Sequence, residues 1–247
     1  MTGPNREPAS AGGQLLTADG VSLAYGEVSV LDDVSVRLDR GTVTAVVGPN
    51  GSGKTTLAEV VAGLRRPDAG DVSLDATGER PVGFLPQAPR FRPAFTVAET
   101  LRFYADLLSA SVDVAAAMER VGLADAADRR VDALSGGMRR LLGVATSFLG
   151  DPALVVLDEP TSGLDPRMTR HVFEAAATRS DAGTAVLLTT HDMAAAADAD
   201  EVLVLHRGEI AARGSPADLR ERTGTDSLSA AFFEVVGTTP TVQTGVA

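Results

Sequence analysis

The stretch GPNGSGKTT at residues 48–56 has the residue types and the spacing that bind phosphate groups. It fits the pattern G-x-x-x-x-G-K-[ST], in which glycines free backbone N–H groups to point at phosphate oxygens. In this pattern Lys54 would meet the β- and γ-phosphates, and the Thr55 hydroxyl would ligate Mg²⁺. The apolar run TVTAVV precedes the loop and the helical pattern TTLAEVVAG follows it, which is the context that the pattern requires. The sequence therefore predicts a phosphate-binding loop rather than an incidental glycine-rich turn.

Two adjacent carboxylates follow another apolar run, in ALVVLDEP at residues 153–160. A buried strand that ends in Asp158 would hold its carboxylate near the phosphate loop, where it could orient magnesium and its waters. Glu159 would then face the terminal phosphate and could polarise an attacking water as a general base. A solvated Asp-Glu pair at a strand end is common, but this interpretation weakens once the same chain carries a phosphate loop.

A second glycine-rich segment, LSGGMRRLL, occupies residues 134–142. Taken alone, a serine followed by two glycines can be a helix boundary that needs a flexible backbone. The same residues can also bind an anion, because glycines free backbone N–H groups and the serine adds a hydroxyl donor. A helix that starts near Met138 would add its N-terminal partial positive charge. The segment is therefore a candidate for a second phosphate contact.

Composition narrows the class of protein. The 247 residues are 44% hydrophobic, which is enough for one large domain, and the absence of cysteine excludes disulfides and thiolate metal sites. The net charge of -11 disfavours direct binding to nucleic acid. The polar N-terminus does not read as a signal peptide, and no apolar stretch approaches the roughly 18 to 20 residues of a spanning helix, so we expect any membrane role to be peripheral.

Hydrophobic periodicity predicts a mixed α/β order. The stretches LTADGVSLAY and VSVLDDVSVRL alternate with period two and suggest antiparallel strands near the start. Continuous apolar runs at 42–47, 153–157 and 185–190 predict buried strands of a mainly parallel sheet with helices on both faces. Residues 96–132 read as an entirely helical insertion, and the chain after residue 223 as a poorly ordered end.

These motifs, in this order, resemble the ATP-binding subunit of an ABC transporter over roughly residues 15–223. GPNGSGKTT is similar to Walker A, LVVLDEP to Walker B and LSGGM to the signature of that family. Tyr25 matches the aromatic residue that stacks on adenine, and Gln87 matches the Q-loop glutamine. Asp165 lies in SGLDP, which is similar to the D-loop, and His191 matches the switch histidine.

The resemblance implies ATP and Mg²⁺ as ligands and hydrolysis of ATP as the activity. It implies Glu159 and His191 as catalytic residues, and Thr55, Gln87 and Asp158 as metal ligands. The implied nucleotide-binding residues are Tyr25, Gly48, Pro49, Asn50, Gly51, Ser52, Gly53, Lys54, Thr55, Thr56, Gln87, Ser135, Gly136, Gly137 and Asp165.

The resemblance also implies the architecture: an α/β P-loop NTPase with a RecA-like parallel sheet core, an N-terminal antiparallel β subdomain and an inserted α-helical subdomain. We expect one ATPase domain, with its flanking ends as flexible tails. The expected bounds are 14–223 for the domain, 14–87 and 146–223 for its core, 88–145 for the helical subdomain, and 1–13 and 224–247 for the tails.

Partners follow from the same resemblance. In this family Ser135, Gly136 and Gly137 would close over the γ-phosphate that a second protomer binds, so two phosphate-contacting loops in one chain imply two chains. A homodimer is favoured over a heterodimer. The helical subdomain and the Gln87 loop would couple to separate transmembrane permease subunits, which places the chain at the cytoplasmic face of the membrane, with no nucleic acid as partner.

Departures from the family pattern refine and limit this interpretation. The family most often has Gln after the two glycines and Arg three positions further, where this chain has Met138 and Leu141. Met138, together with FTVAETLRFYADLL and LHRGEIAARGSPADL, is more similar to exporters of the ABC-2 type than to importers.

Two alternatives remain: a soluble ABC-type ATPase that does not drive transport, and a P-loop kinase. The chain lacks the second cassette or long coiled-coil insert usual for the former, and the acceptor site and lid required for the latter.

Overall fold

The computed structural model describes residues 13–108 and 111–237, which form two β-sheets surrounded by helices. The strands of this part of the chain are β1 (Gln14–Tyr25), β2 (Val28–Asp39), β3 (Val43–Val47), β4 (Ala69–Leu74), β5 (Val82–Leu85), β6 (Leu154–Asp158), β7 (Ala185–Thr190), β8 (Glu201–His206) and β9 (Glu209–Gly214). Its α-helices are α1 (Lys54–Val61), α2 (Val97–Ala105), α3 (Val114–Arg120), α4 (Gly136–Phe148), α5 (Pro166–Asp181), α6 (Met193–Ala196), α7 (Pro216–Thr223) and α8 (Leu228–Val236). Within these ranges no helix is long and apolar enough to cross a membrane.

The smaller sheet has the order β2-β1-β4 and is antiparallel throughout. The predicted antiparallel pair near the start of the chain is therefore confirmed as β1 and β2, joined at Gly26, whose positive φ of 62° suits the turn. Their alternating pattern points Val34, Val36 and Leu38 inwards and the intervening polar residues outwards.

The larger sheet has the order β5-β6-β7-β3-β8-β9 and is parallel except for the β8–β9 hairpin. Its central strands are buried on both faces, which explains their continuous apolar runs. Along β6, Val155 and Leu157 pack in the core beneath the helices, whereas Leu154 and Val156 pack on the other face, with α1 and the smaller sheet. The predicted fold class, with a mainly parallel core and an added antiparallel sheet, is confirmed.

The insertion expected to be entirely helical is less regular than its sequence suggested. It contains α2 and α3, with single 3₁₀ turns at 124–126 and 131–133. A capping box of Thr96 and Glu99 fixes the start of α2. Helix α4 then begins at Gly136, two residues before the expected start, and continues through the expected subdomain boundary at residue 145.

The expected flexible tail from residue 224 is wrong for the part that the structure describes. Helix α8 lies there, and it buries Leu228, Ala231 and Phe232 against the α-helical side of the core. Three apolar residues at this spacing form one face of a helix, a pattern too short to stand out from the sequence. Residues 1–12 and 238–247, the remainder of both expected tails, lie outside the described residues.

Strand β5 and helix α4 are in very close contact at Gly83. A Cβ atom added there would lie 1.8 Å from the backbone carbonyl oxygen of Ser147, which is closer than any real contact. Because the obstructing atom belongs to a helix backbone, it cannot be relieved by a side-chain rotation. Gly83 therefore allows helix α4 to pack closely on β5, the strand that leads to Gln87.

We expect Gly83→Ala to lower the free energy of unfolding by about 1–3 kcal/mol, the usual cost of overpacking a closely packed interior. Urea denaturation followed by circular dichroism measures this change. Gly13→Ala is the matched control, because an added Cβ at Gly13 meets nothing within 4 Å. Equal stability of the two variants would contradict the close contact.

Candidate nucleotide-binding site

The predicted phosphate loop leaves β3 at Gly48 and enters α1 at Lys54. Two of its glycines are required by sterics: a Cβ at Gly48 would lie 2.2 Å from the Leu205 carbonyl oxygen, and one at Gly53 would lie 2.7 Å from the Val30 carbonyl oxygen. Gly53 also has a φ of 103°, which other residues rarely adopt. The loop is therefore enclosed between the end of β8 and β2, directly before the start of α1.

Helix α1 begins without a side-chain cap and without an acidic residue in its first turn. Each of the other described α-helices has a side chain that accepts a hydrogen bond from its first turn, in order Thr96, Asp113, Ser135, Asp165, Asp192, Ser215 and Ser227. The first N–H groups of a helix need an acceptor and carry partial positive charge. The N–H groups at this one helix start, which no side chain caps, suit an anion such as a phosphate.

Lys54 lies inside the loop, with 7% of its side chain exposed. Its ammonium donates hydrogen bonds to the carbonyl oxygens of Gly48 (2.9 Å) and Pro49 (3.0 Å), and it lies 4.0 Å from Glu159 Oε1. Burial lowers the pKa of Lys54, and the carboxylates of Glu159 and Asp158 oppose that effect. The ammonium is therefore held between the phosphate loop and Glu159, where it could contact a bound phosphate chain.

Asp158 is the last residue of β6 and Glu159 follows it; both are almost fully buried, with 1% of Asp158 and 6% of Glu159 exposed. Thr189 of the neighbouring strand β7 connects them. Its hydroxyl donates to Asp158 Oδ1 at 2.6 Å and accepts from the backbone N–H of Glu159 at 2.9 Å. Glu159 has a positive φ of 50°, an unfavourable conformation for a residue with a side chain, which turns the backbone away from the strand direction.

Two buried oxygen atoms at this place, Asp158 Oδ2 and Ser52 Oγ, have no hydrogen-bond partner among the described residues. Unpaired buried oxygen atoms are costly unless a ligand or an ion satisfies them. Carboxylate, hydroxyl and amide oxygens are the ligands that Mg²⁺ prefers. The residues present therefore fit a magnesium ion beside a phosphate chain.

His191 follows β7 and lies on the other side of Glu159 from the phosphate loop. Its Nδ1 lies 2.8 Å from Glu159 Oε2, while 64% of its side chain is exposed. The next residue, Asp192, accepts hydrogen bonds from the first turn of α6 and so fixes the backbone that presents the histidine. One ring nitrogen of the imidazole therefore contacts Glu159, and most of the side chain is open towards solvent.

Sequence reasoning missed Arg140 on α4 as well as Thr189. The guanidinium of Arg140 donates to the Pro86 carbonyl oxygen at 3.4 Å, next to Gln87. Burial lowers the pKa of Arg140, and the negative charges of Asp158 and Glu159 oppose that effect. Thr189 could have been found by aligning β6 with β7 as parallel neighbours, but nothing local in the sequence marks Arg140.

Two further predicted site residues, Gln87 and Tyr25, lie at exposed positions. Gln87 follows β5, the neighbour of β6, and its side chain is exposed at the same sheet edge as Asp158. Tyr25 ends β1 with 46% of the residue exposed, and the guanidinium of Arg65 lies 5.1 Å from its ring centroid.

The LSGGM segment makes no hydrogen bond with the phosphate loop of its own chain among the described residues. Ser135 caps α4 by accepting a hydrogen bond from the Met138 N–H at 3.1 Å, and Gly136 has open space where a Cβ would be. A Cβ at Gly137 would lie 3.0 Å from Met168 Sδ on α5, whose own cap is Asp165. Among the hydrogen bonds of the described residues, none joins Ser135–Gly137 to residues 48–56.

The fold and the site define a P-loop nucleoside triphosphatase: a parallel sheet presents a buried lysine, a glycine loop on an uncapped helix, and a carboxylate pair at one edge. Comparison with known proteins narrows the class. The sequence model of the family described as "ABC transporter" matches residues 31–162, more than half of the chain. The chain belongs to this family, and it is an ATP-binding subunit that hydrolyses ATP to energise transport.

Similar proteins agree with this family. The daunorubicin resistance ATP-binding protein DrrA3 of Streptomyces coeruleorubidus is 37% identical, over 89% of this chain and 74% of its own length. The Nod factor export ATP-binding protein I of Ralstonia nicotianae is 37% identical, over 83% of this chain and 68% of its own length. A solved ATP-binding subunit of an ABC transporter superposes with a TM-score of 0.80 at 28% identity, over 90% of this chain and 99% of that one.

A second solved structure shares the fold at lower identity. It is a dimeric ATP-binding cassette in a post-hydrolysis state, bound to ADP and Pi, with a TM-score of 0.74 and 21% identity over 81% of this chain and 98% of that one.

We expect Glu159→Gln to bind ATP but to hydrolyse it about 10²- to 10⁴-fold more slowly, because the amide cannot accept the proton of an attacking water. Phosphate release and binding of a fluorescent ATP analogue measure the two effects separately. Glu174→Gln is the matched control, since Glu174 lies 60% exposed on α5. If Glu159→Gln hydrolyses ATP at the wild-type rate, Glu159 is not the general base.

Proposed function

We propose that this ATPase drives export through a separate transmembrane permease, from the cytoplasmic face of the membrane. The observation that carries this proposal is the similarity to ATP-binding proteins named for drug resistance and for Nod factor export, over at least two thirds of their length. The substrate is left to the permease, because every residue assigned to the described site is assigned to a nucleotide or its magnesium ion.

In the proposed mechanism the phosphate loop and the start of α1 bind the phosphate chain, and Lys54 neutralises its β- and γ-phosphates. Thr55, Gln87 and Asp158 would hold Mg²⁺, which supplies neutralisation of the developing phosphate charge. Glu159 accepts the proton of the attacking water, and His191 orients Glu159 through their 2.8 Å contact. Tyr25 is the surface on which the adenine ring stacks.

We propose further that the working form is a dimer, and that a homodimer is favoured over a heterodimer. Ser135 and its two glycines make no hydrogen bond with residues 48–56 among the described residues, and Gly136 faces open space. This turn is therefore free to contact a nucleotide on a second protomer. ATP would then join two protomers, and its hydrolysis would release them, as expected of a ligand that contacts both faces only in the closed state.

We expect purified Glu159→Gln to change from a monomer to a dimer when ATP and Mg²⁺ are added, because ATP that is not hydrolysed keeps the interface closed. Light scattering on a sizing column measures the mass. Adding Ser135→Arg should keep ATP binding but abolish the dimer, since the long cationic side chain fills the contact. A monomer with ATP demonstrably bound would contradict self-pairing through LSGGM.

The permease has a candidate contact on the helical insertion, beside Gln87. A cavity of about 320 Å³ there is lined by aromatic rings and arginines: Arg90, Phe91, Arg92, Phe95, Phe103 and Tyr104. The guanidinium of Arg92 lies 5.0 Å from the Phe95 ring centroid and 4.4 Å from that of Phe103. An apolar cavity with a fixed cation suits a short segment that carries apolar side chains and a carboxylate.

We expect Arg92→Glu to release the chain from membranes in cells of its own organism, because it places a carboxylate where the partner's carboxylate would lie. Sedimentation of membranes, followed by detection of a tagged chain, measures the bound fraction. The matched control is Arg102→Glu on the exposed side of α2. If the wild-type chain itself stays in the supernatant, the soluble ATPase is favoured; if Arg92→Glu sediments like wild type, the cavity is not the contact.

A further inference from the structure

Arg65 connects the phosphate-binding helix α1 to Tyr25, the tyrosine at the end of β1. The guanidinium of Arg65 lies over the ring of Tyr25, 5.1 Å from its centroid. The same guanidinium donates from Nε to Glu59 Oε2 at 2.7 Å, and Glu59 belongs to α1. The backbone N–H of Arg65 also donates to the carbonyl oxygen of Glu59 at 3.2 Å. Arg65 is thus fixed to the helix whose N-terminus carries the phosphate loop.

The backbone around Arg65 is tied to the strand that presents Tyr25. The Asp68 carboxylate accepts a hydrogen bond from the Ala24 N–H at 2.8 Å, and the Asp68 N–H donates to the Ser22 carbonyl oxygen at 2.9 Å. These bonds hold the segment after α1 against the end of β1. The distance between Arg65 and the tyrosine ring is therefore set by the backbone as well as by the side chains.

The tyrosine ring remains partly exposed. Tyr25 is 46% exposed even though the guanidinium covers part of it, so a planar group can still approach the ring. The hydrogen bond to Glu59 raises the pKa of Arg65, and the guanidinium is charged in any case at physiological pH. A cation over one face attracts the ring and restricts its rotation. A ring fixed before binding loses less conformational freedom when a base stacks on it.

We infer that Arg65, held by Glu59, is a positioning residue that fixes the Tyr25 ring in one orientation for stacking of a purine base. The pair would couple the base end of the nucleotide to the helix that binds its phosphates. This inference rests on the proposed role of Tyr25 as the adenine surface. It predicts a contribution to nucleotide affinity that depends on the base and not on the phosphates.

The test compares ATP with inorganic tripolyphosphate, which lacks a base, by isothermal titration calorimetry on the full chain carrying Glu159→Gln. Adding Arg65→Ala should weaken ATP binding about two- to fivefold, the effect expected of an exposed cation–π contact, and leave tripolyphosphate binding unchanged. Glu59→Gln should act in the same direction. Arg66→Ala is the matched control, because its side chain is exposed and it is the adjacent arginine.

A double-mutant cycle tests whether Arg65 acts on ATP binding through the Tyr25 ring. In a chain that already carries Tyr25→Ala, Arg65→Ala should have no further effect on ATP binding. Equal weakening of ATP and tripolyphosphate by Arg65→Ala would indicate general damage and overturn the inference. Unchanged or tighter ATP binding would also overturn it, and tighter binding would mean that the guanidinium occupies the face that the base needs.

The role of Tyr25 is tested separately in the same experiment. If Tyr25→Ala alone leaves ATP affinity unchanged, the adenine surface itself is wrong and the inference falls with it. If Tyr25→Ala weakens ATP binding but Arg65→Ala does not, the surface stands and only the positioning role of Arg65 is refuted.

Discussion

Three charged groups buried beside one another impose the main constraint on this structure: the ammonium of Lys54 and the carboxylates of Asp158 and Glu159. All three are less than 8% exposed. Charges in an interior are tolerated only when they are paired and hydrogen-bonded. Here two loop carbonyl oxygens accept hydrogen bonds from the ammonium, while Thr189 and His191 contact the carboxylates. An oxygen of Asp158 has no hydrogen-bond partner among the described residues, which suits coordination of a cation.

The parallel sheet satisfies this constraint by geometry. In parallel neighbours the carboxyl ends meet at one edge, so β3, β6 and β7 deliver the phosphate loop, the carboxylates and the histidine to the same place. The two faces of these strands are buried in separate cores, one beneath the helices and one that includes α1 and the antiparallel sheet. Displacement of either core would therefore move the site, which makes closely packed glycines such as Gly83 and Gly143 part of its support.

Much of the fold and of the site could be predicted because the informative signals are local. The phosphate loop is contiguous, and Asp158 and His191 each follow a short apolar run that predicts a buried strand. The missed features depend on contacts between distant parts of the chain. Arg140 reaches the Pro86 carbonyl oxygen beside Gln87 where α4 packs closely on β5 at Gly83 and Gly143. Arg65 is one of many arginines in the sequence, and only the fold places it over Tyr25. Helix α8 was missed because its apolar face is short and is stabilised mainly by packing.

The uncapped start of α1 has a consequence for the energetics of the free protein. The other described α-helices satisfy their first turn with their own side chains, whereas this one leaves that requirement to whatever binds there. A ligand that binds only the folded chain stabilises it according to its concentration and affinity. Folding and nucleotide occupancy are therefore thermodynamically linked at this helix. The cellular ATP concentration would set the resistance of the chain to heat and to proteolysis, in addition to its rate of turnover.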